Sequence, residues 1–158
     1  MPREITGSLD ASSLRIAVVV TRWNEFIVSR LLEGALDCIR MHGGTVDDVT
    51  IVRCPGAFEL PVVVRRLALS GAFDAIVALG AVIRGATPHF DYVAGAAANG
   101  IARISLETSV PVGFGLLTVD TVEQAIERAG TKGGNKGWES ALAAIETARV
   151  LRAIDSHE

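Results

Sequence analysis

Apolar positions in this chain fall into two alternating kinds of run. Arg15–Thr21 (Arg-Ile-Ala-Val-Val-Val-Thr), Val49–Cys54, Ala75–Ala81 and Val112–Thr118 are short, β-branched and continuously apolar, as buried strands are. Between them, apolar residues recur at helical spacing. Ile27, Leu31, Leu32, Ala35, Leu36 and Ile39 mark a first helix that stops at Gly43-Gly44. Leu60–Ser70 reads as a second helix closed by Gly71, and Phe90 to about Thr108 as a third. Val122–Ala129 and Trp138–Ile154 follow as two more, separated by the Gly/Lys-rich turn Gly130–Gly137.

Strand and helix therefore alternate after a polar N-terminal arm, residues 1–14. The chain of 158 residues has the length of one domain, and no linker or internal repeat divides it. Continuous rather than alternating strands favour a parallel sheet covered on both faces. The expected fold is α/β, a three-layer sandwich with a parallel sheet of four strands and helices on both faces.

Composition narrows the possible partners. Hydrophobic residues make up 49% of the chain and the mean hydropathy is +0.38, high for a small domain. No apolar run approaches the ~20 residues that span a bilayer. The surplus apolar surface is thus expected to meet other subunits rather than lipid. A net charge of −3 with no basic stripe argues against nucleic acid. Cys38 and Cys54 match neither a zinc-knuckle nor a CxxC spacing, so buried thiols and no metal site are expected. The first residues lack a signal-type apolar segment, and a cytoplasmic location is expected.

In parallel α/β sheets, ligands bind outside the carboxyl ends of the strands. All four of those ends are unusual here. The first strand runs into Thr21-Arg22-Trp23-Asn24, the second into Pro55-Gly56-Ala57-Phe58-Glu59, and the fourth ends near Phe114 and Thr118. Aromatic residues are only 5% of the chain, yet Trp23, Phe58, Phe90 and Phe114 lie on or near these ends. They either stack on a planar heterocycle or pack against helix ends. Glu59 either caps the second helix or accepts hydrogen bonds from ligand hydroxyls.

The third strand leads into Gly80-Ala-Val-Ile-Arg-Gly-Ala-Thr-Pro-His-Phe-Asp91. Gly80 and Gly85 have P-loop spacing, but Ala86 stands where the phosphate-binding lysine belongs, which excludes an NTPase. A site for one small phosphate remains, built from the amides of Gly85, Ala86 and Thr87 at a helix start. Thr87 is expected as the N-cap, with Pro88 in the first helical position. His89 follows in the first turn as a proton-transfer group. His42 and His157 have no such setting and are expected in solvent. Arg128, Lys132 and Lys136 form either a solvated basic cluster or a second source of phosphate-binding charge.

Three motifs together, Pro55–Pro61, Gly80–Val93 and Glu123–Gly130, closely resemble the lumazine synthase family. The likeness runs from about Ile5 to Ile154. It implies a flavodoxin-like sandwich, no metal or organic cofactor, and active sites between neighbours in a pentamer. The implied reaction joins 5-amino-6-(D-ribitylamino)uracil to 3,4-dihydroxy-2-butanone 4-phosphate. By position, Trp23 would stack on the pyrimidine and Asn24 would hydrogen-bond near it. Ala57, Phe58 and Glu59 would hold the ribityl chain, while Val82 and Ile83 would present backbone groups to the pyrimidine edge. Gly85, Ala86 and Thr87 would bind phosphate, and His89 would move protons. Phe114, Arg128 and Lys136 would come from the adjacent subunit.

The short Gly130–Gly137 turn resembles family members that build hollow shells of sixty subunits. A container or flavin-binding module on the same fold could dispense with His89, Arg128 or the Gly85–Thr87 loop, and none is lost. An unrelated phosphate-dependent lyase would leave Trp23 and the Phe58-Glu59 pair without a task.

Overall fold

The computed structural model describes residues 1–157. Its sheet is built from β1 (Ile16–Thr21), β2 (Thr50–Cys54), β3 (Ala75–Ile83) and β4 (Val112–Val119), in the order β2-β1-β3-β4 with every pairing parallel. The helices are α1 (Glu25–Met41), α2 (Leu60–Leu69), α3 (His89–Thr108), α4 (Val122–Arg128) and α5 (Lys136–Asp155). This is the α/β flavodoxin-like sandwich expected from the sequence.

Alternation along the central strands divides the core in two. Ile16, Val18 and Val20 of β1 join Val77 and Leu79 of β3 against α1 and α5. Ala17 and Val19 join Ile76 and Ala78 against α2 and α3. Every residue of β1 is buried, which accounts for its uninterrupted apolar sequence. The edge strand β2 differs, since Thr50, Ile51 and Arg53 are exposed.

Two glycines set the helix packing. A Cβ at Gly137 would run into the Leu31 carbonyl, and one at Gly113 into that of Ser140. The first glycine lets α5 lie close on α1, the second lets α5 lie close on β4.

Several boundaries move for physical reasons. Arg15 lies outside β1 because its amide and guanidinium bind Asp74 instead, at 2.8 Å and 3.1 Å. β3 runs two residues further than its buried part, since Val82 and Ile83 stay paired with Thr118 and Val119. The Gly130–Gly137 turn is partly ordered: β5 (Ala129–Thr131) pairs with β6 (Gly134–Asn135). Asn135 then caps α5, accepting from the Trp138 amide at 3.1 Å, so that helix starts two residues early.

His42 is a correction. It is half-buried, donates through Nδ1 to the Cys38 carbonyl at 2.7 Å, and meets Trp138 edge-on with ring centroids 5.8 Å apart. A helix-terminal histidine found both an acceptor and an aromatic wall, neither of which its neighbours in sequence revealed. Cys38 and Cys54 are buried and unpaired with each other, and burial raises both thiols to about 11.

Candidate active site

Two clefts hold most of the residues singled out from the sequence. The first, of about 490 Å³, opens beyond β1, β2 and β3. β1 ends in a loop whose Arg22 and Trp23 amides donate to the Pro55 carbonyl, each at 3.2 Å. This joins the loop to the turn after β2. Trp23 lies against Gly56, where a Cβ would strike the indole ring, so the glycine makes room for it. The indole is 58% exposed and Phe58 65% exposed, both lining an open, mostly apolar wall.

Asn24 starts α1 in the left-handed region, at φ 61°. Its Nδ2 donates to the Ala81 carbonyl at 3.1 Å, locking the β1 loop onto β3. Ala57, Phe58 and Glu59 form a single 3-10 turn ahead of α2. Glu59 occupies the capping position of α2 but its side chain makes no capping bond. Among the described residues, one carboxylate oxygen is instead buried without a partner, as is the hydroxyl of Thr21. Two orphaned polar atoms beside one apolar cleft are costly alone and point to a hydrogen-bonding occupant.

Val82, Ile83 and His89 complete the wall, together with Thr21, Tyr92 and Val93. The last three were not singled out from the sequence. Thr21 is signalled only by a polar residue closing an apolar strand, and Tyr92 and Val93 only by their place one helical turn after His89.

The Gly85–Thr87 loop bridges Ile83 and His89 in an exposed, open path. Among the described residues, the amides of Gly85, Ala86 and Thr87 have no acceptor. Thr87 does not cap α3. The helix begins at His89, and Pro88 takes the cap position with its carbonyl accepting from the Asp91 amide at 3.1 Å. The proline therefore ends the loop rather than opening the helix. Phe90 lies outside the first cleft, under the guanidinium of Arg84, whose Cζ is 4.3 Å from the ring centroid.

Phe114, Arg128 and Lys136 line the second cleft, of about 500 Å³, on the β4 side. Lys136 is 3.9 Å from Glu139, while Arg128 forms no ion pair among the described residues. Lys132 is exposed on the hairpin and lines neither cleft. One chain thus separates most of the residues singled out from its sequence into two groups. An aromatic and carboxylate cleft holds His89, and a cationic cleft holds Arg128.

Residues 13–152 match the 6,7-dimethyl-8-ribityllumazine synthase family. The chain belongs to this family. A 6,7-dimethyl-8-ribityllumazine synthase of Nitratidesulfovibrio vulgaris is 59% identical over 152 residues, covering 96% of this chain and 97% of that one. Another, of Chlorobium luteolum, is 58% identical over 150 residues, covering 95% and 97%. A third, of Chlorobaculum tepidum, is 57% identical over 152 residues, covering 96% and 98%. For a lumazine synthase family member, both clefts and all three motifs lie within the matched span.

Proposed function

We propose that this chain is an enzyme that condenses 5-amino-6-(D-ribitylamino)uracil with 3,4-dihydroxy-2-butanone 4-phosphate. It forms 6,7-dimethyl-8-ribityllumazine and releases phosphate and water, the penultimate step of riboflavin biosynthesis. The observation that carries this reading is the near-full-length family match. The paired clefts support it.

The first cleft takes the pyrimidine. Trp23 stacks on its face, Val82 and Ile83 offer backbone groups to its edge, and Asn24 offers its carbonyl oxygen and its second amide N–H. The ribityl chain lies along Ala57, Phe58 and Glu59, where the unpartnered carboxylate oxygen accepts a ligand hydroxyl. Phosphate docks on the open amides of Gly85, Ala86 and Thr87. Arg128 of an adjacent subunit clamps it, and that subunit's Phe114 and Lys136 close the pocket. The split between the clefts favours this shared site, because Arg128 and His89 line different clefts of one chain.

The 5-amino group attacks the butanone carbonyl and one water leaves, giving an imine. Loss of the adjacent C–H proton expels phosphate with its bonding pair and leaves an enol. Tautomerisation of that enol gives a second carbonyl, which the ribitylamino nitrogen attacks, and a second water departs as the ring closes. His89 serves these proton transfers, while positioning of two reactive substrates supplies much of the rate. The assembly is a homo-oligomer, a pentamer that builds a sixty-subunit shell. Lumazine fluorescence from the two substrates tests the function, and its absence with folded protein refutes it.

A further inference from the structure

Arg84 lies between β3 and the Gly85–Thr87 loop, and the chemistry above gives it no task. Its Nε donates to Asp120 at 2.8 Å and its Nη1 to Asp91 at 3.3 Å. The guanidinium also covers Phe90, and the Arg84 amide donates to the Val119 carbonyl at 2.8 Å. Asp91 belongs to the first turn of α3, which carries His89. Asp120 belongs to the turn ahead of α4, whose last residue is Arg128. One side chain therefore ties the foot of the phosphate loop to the turn that carries His89 and to the turn ahead of the helix whose Arg128 serves the neighbouring site.

The loop itself has little other support. Among the described residues, a Cβ built at Gly85 meets nothing within 4 Å, and Gly85, Ala86 and Thr87 are all exposed. Arg84 is also a poor candidate for direct phosphate binding. Two carboxylates share its charge and leave the cluster net negative, whereas Arg128 has no carboxylate partner among the described residues. Exposed ion pairs add little to global stability. Their effect here is to restrict a loop whose amides must converge on one anion.

We infer that Arg84 is a positioning residue, which latches the phosphate-binding loop to α3 and to the β4–α4 turn through Asp91 and Asp120. This rests on the proposed role of the Gly85–Thr87 loop. Arginine suits the task because its planar fork reaches two carboxylates while lying on an aromatic face, and an ammonium cannot do all three.

The test compares the full-length wild type with Arg84→Met, Arg84→Lys, Asp120→Ala and the Arg84→Met/Asp120→Ala double variant. Inorganic phosphate binding is followed by calorimetry, alongside steady-state kinetics and melting temperature. A wild type that forms no lumazine refutes the proposed function, while phosphate binding across the series still tests the latch. The latch requires Arg84→Met and Asp120→Ala each to weaken phosphate binding and raise the KM for the phosphorylated substrate about tenfold. The KM for the ribitylamino substrate and the melting temperature stay near wild type. The double variant is no worse than either single one, and Arg84→Lys fails to rescue. A direct phosphate contact predicts the opposite: Asp120→Ala frees the cation and tightens binding, and Arg84→Lys restores it. Either result overturns the latch, as does unchanged phosphate affinity throughout. An equal loss for both substrates with a lowered melting temperature overturns it too.

Discussion

Glu59 and Thr21 show how much the surroundings of a residue decide. The sequence left Glu59 open between a helix cap and a ligand acceptor, and the structure removes the cap. Its buried oxygen lacks a partner among the described residues, as does the Thr21 hydroxyl, which is in a residue only 2% exposed. Replacing Thr21 with valine keeps the shape and removes the orphaned hydroxyl. Thr21→Val should therefore raise the unfolding free energy, by about 1–3 kcal/mol, measured by denaturant titration. For the chemistry, His89→Ala should lower turnover by at most about 10²–10⁴-fold. Near-complete loss with ligand binding intact would contradict catalysis by positioning. Arg128→Ala should mainly raise the KM for the phosphorylated substrate, and an unchanged KM would remove it as the clamp. Trp23, Phe58 and His89 were legible as candidates because they follow the carboxyl ends of parallel strands, and the structure gathers them in one cleft. Thr21 was not, because an orphaned hydroxyl is defined by the atoms around it.

Among elements, the sheet is held at its amino end by a charge cluster. Asp74, just ahead of β3, accepts from Arg15 ahead of β1 and lies 3.2 Å from Arg152 of α5. Burial alone would raise this carboxyl, but the hydrogen bonds from Arg15 and the two guanidinium charges hold it below its ordinary value of 3.8. A carboxyl depressed by folding contributes stability that is complete above the unfolded value. That contribution is lost as pH falls through the lower folded value. Asp74→Asn should thus melt below wild type at neutral pH, and the gap should narrow on acidification. A constant gap would show that its charge is irrelevant. Helix packing makes a harder demand. Gly137→Ala would press a methyl group into the Leu31 carbonyl, so a large fall in melting temperature is expected. The periodicity of α1, α2 and α3 located these helices well. It could not reveal the β5–β6 hairpin, whose Asn135 side chain accepts from the Trp138 amide and donates to the distant Arg30 carbonyl.

For the whole molecule, the two clefts share no lining residue, while the chemistry proposed for them needs His89 and Arg128 beside one phosphate. Exposed Phe26, Val62, Tyr92 and Leu106 leave a chain with much apolar surface uncovered. The proposed assembly supplies a neighbour to bring the second cleft onto the first. Sedimentation should give a species far heavier than five 16.6 kDa chains, and a five-chain species would refute the shell while leaving the pentamer. Among the described residues, no helix is long and apolar enough to cross a membrane.

By itself, the sequence determined the layer order, the four strands and the loops at their carboxyl ends. It could do so because burial on both sheet faces writes itself as continuous apolar runs, and helix faces as a 3.6-residue period. Three motifs also carried the family. Tertiary structure alone decided that Glu59 does not cap α2, that Pro88 rather than Thr87 precedes α3, and that Arg84 links three segments. It also decided that Phe114, Arg128 and Lys136 sit in a separate cleft from His89. Each of these depends on where an atom finds its partner across the fold, and such distances leave no period along the chain.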